Sequence, residues 1–125
     1  MLGIDKLHTG IVKLDFEHQQ ILETLASLQE PNIPKAQRIL ICERLLFYIG
    51  QHVEEEEKEI AFYNVPRAED ILEDHIRMKS ELLKHLSEFI KSSTKSTEHI
   101  YEMVVQHILE YDVPMAEFIK SKQIS

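Results

Sequence analysis

Cysteine occurs once, at Cys42, so no disulfide can form within the chain, and a reducing, cytoplasmic compartment fits. Tryptophan is absent, and there are only three glycines and four prolines. No segment alternates apolar and polar residues with β-branched enrichment, which excludes a sheet. No stretch approaches the roughly 20 apolar residues that a membrane span needs. The leader, Met1 to Leu14, lacks a long apolar run and does not read as a signal peptide. Basic residues are the minority, 14 against 22 acidic, for a net charge of -8. That balance argues against nucleic acid or an anionic membrane as partner. There remain 125 residues, 43% hydrophobic and 29% charged, the size and balance of a single domain over 1–125 with a real core. Histidine stands out, with seven residues, and it is the commonest metal ligand.

The apolar spacing predicts four helices. The first runs from about Ile11 to Gln29, with a seam of Ile11, Leu14, position 18, Ile21, Leu25 and Leu28. The second follows Asn32-Ile33-Pro34 and runs from about Lys35 to Tyr63, through Ile41, Leu45, Tyr48 or Ile49, 52, 56, 59 or 60, and Tyr63. The third runs from about Arg67 to Ser92, through Ala68, Leu72, 75, 79, Leu82, Leu86 and Phe89. The fourth starts near Ser96, with Ser96 or Thr97 as a cap, and passes through Ile100, Val104, 107, Tyr111, Met115 and Phe118. Short connections between long helices make neighbours antiparallel. The expectation is an all-α, up-down-up-down four-helix bundle.

The seams are interrupted by polar residues at corresponding places. Helix one carries His18, helix two His52 and Glu56, helix three His75 and Lys79, and helix four His107 and Asp112. His8, His85 and His99 lie in the leader or off the seams. A lone histidine at a core position is more often a hydrogen-bonded core residue than a ligand. Four of them, one per helix, beside two carboxylates, are different. Burying such groups without a counter-charge costs several kcal/mol each, of order 3 or more. A metal centre removes that cost, and bundles do build metal sites from facing helices. The donor set exceeds what one tetrahedral zinc takes, and Cys42 stands away from it. Nitrogen and oxygen donors suit iron, with manganese or zinc as poorer fits. Two carboxylates able to bridge suggest two ions. Leu22, Ile49, Leu72, Met78, Ile108 and Tyr111 read as plain core around them.

The pattern His18, His52-x-x-x-Glu56, His75, His107-x-x-x-x-Asp112 resembles the hemerythrin family, its bacterial hemerythrin-like domains most closely. Gly10-Ile11-x-x-Leu14-Asp15-x-x-His18-Gln19 is similar to the family's opening motif and His107-Ile108-Leu109-x-x-Asp112 to its closing one. The resemblance implies a centre of two non-haem iron ions that binds dioxygen or another small diatomic ligand. His18 and His52 would hold the oxygen-binding iron, His75 and His107 the second, and Glu56 and Asp112 would bridge them. Typical members have a further histidine ligand where this chain has Lys79, and many carry a tryptophan in the leader.

An ammonium group has no lone pair, so Lys79 ligates only if burial strips its proton. Otherwise it turns to solvent or pairs with a carboxylate, and the second iron is held more weakly. Glu59 can supply an oxygen ligand, pair with Lys79, or belong to a solvated acidic face with Glu54, Glu55 and Glu57. Residues five apart lie about 140° round a regular helix. For His107 and Asp112 to share a site, the helix must widen between His107 and Met115, and Pro114 already removes one hydrogen bond there.

These readings favour an oxygen storage, delivery or sensing protein without enzymatic activity. A di-iron enzyme that reduces peroxide or nitric oxide, and a partly metallated or metal-free regulatory bundle, are the alternatives. Any signalling role would fall to a separate partner protein. Ferritin-like oxidase chemistry lacks its paired Glu-x-x-His motifs.

Overall fold

A computed structural model describes residues 7–92 and 97–124, and among them there is no strand. Helix α1 is Val12–Ser27, α2 is Lys35–Tyr63 and α3 is Ala68–Lys91. The fourth helix is continuous but changes pitch. It runs as α4 (Glu98–His107), a π-helical turn (Ile108–Asp112) and α5 (Val113–Ile124).

Pairs across the helices run in opposite directions. Lys13 meets Glu55 while Glu17 meets His52. Arg38 reaches Ile90 while Glu57 reaches His75. Glu81 lies beside His99 while Asp74 bonds His107. Each helix is therefore antiparallel to the next, as the sequence predicts for an all-α four-helix bundle.

The helix ends follow from local chemistry. Pro34 caps α2 at its start, where a missing N–H costs nothing. Asn64 ends it in the left-handed conformation, with φ 53, which asparagine tolerates better than most residues. Arg67 also has a positive φ, 63, and stands before the third helix rather than in it. Thr97 precedes α4 without a side-chain capping bond, and Ser96, the other expected cap, lies outside the described residues.

The leader is tied down by Asp15. Its carboxylate accepts from the Thr9 amide at 2.8 Å, the Thr9 hydroxyl at 2.7 Å and the Gly10 amide at 3.2 Å. Burial opposes the Asp15 charge, but these donors and His8 hold its carboxyl below the usual range. Gly10 needs to be glycine: its φ is 82, and a Cβ would approach Lys120 Nζ to 2.8 Å. Gly50 has no such reason. It lies within α2, and a Cβ there would meet nothing within 4 Å. Gly50→Ala should therefore stabilise the protein by about 0.5–1 kcal/mol, seen as a rise in Tm. An unchanged or lower Tm would show that the open space there is not free.

The interior falls into two apolar clusters. The larger includes Leu25, Leu45, Met78, Leu82, Ile100 and Ile108. The smaller is Ile60, Val65, Ile71, Met115 and Ile119. In the third helix the inward face differs from the predicted seam. Ile71 and Met78 are buried, whereas Leu72 is 37% exposed and Lys79 is exposed. Of the other residues read as core around the site, Ile49 and Ile108 are buried and Leu22 and Tyr111 only partly so. Among the described residues no helix is long and apolar enough to cross a membrane.

Candidate metal centre

His18, His52, Glu56, His75, His107 and Asp112 are all buried, and their polar atoms converge between the two clusters. They form two groups of three: His18 with His52 and Asp112, and Glu56 with His75 and His107. Within each group the potential ligand atoms lie within 4.8 Å of one another.

The carboxylates link the groups. Asp112 Oδ2 is 2.8 Å from His18 Nε2 and 3.0 Å from His52 Nε2, while its Oδ1 is 3.2 Å from His107 Nε2. Glu56 Oε1 is 2.8 Å from His52 Nε2, 3.5 Å from His75 Nε2 and 3.7 Å from His107 Nε2. Asp112 reaches this point because the helix widens. The Val113 amide donates to the Ile108 carbonyl five residues back, so residues five apart come onto one face. The irregular turn predicted between His107 and Met115 is therefore present.

A metal fits the orphaned atoms of the site. Both Glu56 oxygens, Asp112 Oδ1, His75 Nε2 and His107 Nε2 are buried and, despite these close approaches, have no partner at hydrogen-bonding distance and angle together. Such atoms are costly in an apolar interior, and an ion at their focus would satisfy them. Histidine and aspartate or glutamate donors accommodate iron, zinc or manganese.

The charges lean the same way. Burial pushes the His107 imidazolium down, but the adjoining Asp112 and Glu56 carboxylates outweigh it and hold the group up at about 10. Burial likewise opposes the charged form of His52, yet Glu56, Asp112 and Glu17 keep it well above the ordinary imidazole value. Asp112 would rise on burial alone, but hydrogen bonding with Glu56, His107, His18 and His52 holds it well below the carboxylate range. Without an ion, protons on imidazole balance the two carboxylates. A metal would displace those protons.

Three outer carboxylates that sequence reasoning missed orient the rings. Glu17 lies 3.0 Å from His52 Nδ1, Glu57 lies 3.0 Å from His75 Nδ1, and Asp74 lies 2.6 Å from His107 Nδ1. Arg77 fixes Asp74 in turn, at 2.7 Å. Each ring thus directs Nε2 inward, the tautomer a ligand needs. The available signal was their position: Glu17, Glu57 and Asp74 each sit next to a predicted ligand. Asp74→Asn should weaken metal binding about 10- to 100-fold in a chelator competition, with helical content unchanged. Unaltered affinity would remove the orienting role.

Two open alternatives are resolved. Lys79 is exposed, and no ion pair joins it to Glu59. Glu59 is half-buried beside the site rather than in either donor group, and it lines a small cavity of about 70 Å³ with Ile11, Leu14, Glu56, Met115 and Ile119. Comparison with known proteins finds no matching family model, no matching curated protein and no matching solved structure.

Proposed function

We propose that this chain is a hemerythrin-like protein whose core holds two non-haem iron ions and binds dioxygen or a similar diatomic molecule, for storage, delivery or sensing. The observation that carries the reading is the pair of three-donor groups linked by two carboxylates, each of which faces imidazoles of both groups. His18 and His52 would hold one ion, His75 and His107 the other, and Glu56 and Asp112 would lie between. Ferrous ions would supply the electrons that reversible oxygen binding draws on.

The protein's own part is to fix and shield. Glu17, Glu57 and Asp74 hold three of the rings in the ligating tautomer. Ile108 and Ile49 pack in the larger apolar cluster and Met115 in the smaller one, which limits water on either side. The cavity that reaches Glu56 is about 70 Å³. Pockets for organic ligands are roughly 300–1,000 Å³, so this one suits a diatomic molecule better than a larger substrate. Lys79 supplies no donor from the surface, so the His75 side has one imidazole fewer than typical hemerythrins and should hold its ion less tightly.

The test is iron per chain after loading with ferrous iron without oxygen, followed by oxygen titration. Close to two irons and a visible spectrum that appears with oxygen and fades on its removal are expected. One iron or none would overturn the di-iron reading. Two irons with steady consumption of peroxide or nitric oxide, and no reversible spectrum, would replace it with the enzymatic one.

A further inference from the structure

We propose that Glu81, His85 and His99 form a second, separate metal site on the flank of the bundle, for one divalent ion of the zinc type. Glu81 and His85 are one turn apart on α3, and His99 lies in the first turn of α4. His85 Nε2 is 3.3 Å from Glu81 Oε2, and His99 Nε2 is 4.0 Å from the same oxygen. The two rings are 4.5 Å apart at their centroids, inclined by 54°. All three side chains offer a ligand atom within 4.8 Å of the others. Zinc holds nitrogen and oxygen at about 2.0–2.2 Å, which places tetrahedral ligand atoms about 3.3–3.5 Å apart. With ligand atoms already within 4.8 Å of one another, small side-chain rotations bring the cluster to that spacing.

Ordinary surface pairing of histidine with glutamate would look different at one atom. His85 Nε2 is buried, yet it has no hydrogen-bond partner although the Glu81 carboxylate is close by. Glu88 stands 4.0 Å from Nδ1, on the other side of the same ring. At that distance Glu88 makes no hydrogen bond to the ring, and a neutral ring can turn its Nε2 lone pair to an ion in the cluster. Two imidazoles and one carboxylate leave a fourth position for water, the donor set of an open zinc site.

The site is distinct from the central one. His85 lies ten residues beyond His75 on α3, about 15 Å along the axis. It clamps the C-terminal half of α3 to the first turn of α4, so zinc would lock the start of the fourth helix onto the third. That is a link between available zinc and the order of this end of the bundle.

The experiment titrates zinc against a chromophoric chelator, using iron-loaded full-length protein, in the unaltered chain and in His99→Ala and Glu81→Gln. His99 and Glu81 lie at the surface and in no apolar cluster, so both variants should keep their helical content and iron content. The unaltered chain should bind one zinc more than His99→Ala. Glu81→Gln should bind that zinc at least about tenfold more weakly, since even outer partners cost that much. Excess zinc should raise Tm by more in the unaltered chain than in His99→Ala. Equal zinc uptake by the unaltered chain and His99→Ala would overturn the proposal, as would one zinc shared between two chains. Because the result is a difference between variants, it stands apart from whether the central cluster takes iron.

Discussion

Asp112→Asn should all but abolish metal retention. Asp112 is 0% exposed, and its two oxygens approach His18, His52 and His107. An amide of the same size fills the space but offers no anionic oxygen to join the two donor groups. The expected loss exceeds the roughly 10- to 100-fold seen for outer-shell changes. The metal-free variant should also be about 3–5 kcal/mol less stable, because buried imidazoles lose a counter-charge. Glu59→Gln is the control: it lies beside the site without belonging to either group, so its metal content should match the unaltered chain. Equal retention in Asp112→Asn would show that the six residues do not act as one centre. Elemental analysis and thermal melts report both effects.

Metal should raise Tm by roughly 10–20 °C. Ligand at a thousandfold its Kd stabilises by about 4 kcal/mol, and each kcal/mol is worth several degrees in a chain of this size. The pH dependence should then separate the two forms. In the metal-free protein His52 and His107 are held up, so their contribution is complete below about 6.5, the unfolded histidine value. It is lost as pH rises, for His107 toward about 10. Asp112 is held down, so its contribution is present above about 3.9 and is lost as pH falls further. Metal binding requires unprotonated imidazoles and strengthens with pH. The gap between loaded and metal-free Tm should therefore widen from pH 6.5 to 9.5. A gap that stays constant would place the ion elsewhere.

Much of this was legible in the sequence because it rests on spacing. One histidine per seam, with carboxylates one turn or five residues on, located every member of the buried cluster. The widened turn followed from His107 and Asp112 being five apart with Pro114 next. The third helix was harder. Through His75, the series 68, 72, 75, 79, 82 and the series 71, 75, 78, 82 both have helical spacing, and both Ile71 and Leu72 are apolar. The structure buries Ile71 and Met78, and the charge at Lys79 was the residue that should have broken the tie. The outer carboxylates, marked only by sitting next to predicted ligands, were hard to read for a different reason. Glu57 looks like part of a solvated acidic run, and only tertiary packing brings it to His75. The same holds for Glu81 and His99, which come from two helices and share no seam.

The contact between His18 and Asp112 closes a loop of 94 residues. Its donors come from all four helices, and the last of them depends on a turn that forms only within the final one. A nascent chain lacking its fourth helix has only two of the three donors in each group, and a misregistered bundle offers none of the shared geometry. Metal uptake by this cluster would therefore be an end-point signal: the donor set is complete only when the whole topology is in place, and partly folded copies would exchange any ion freely.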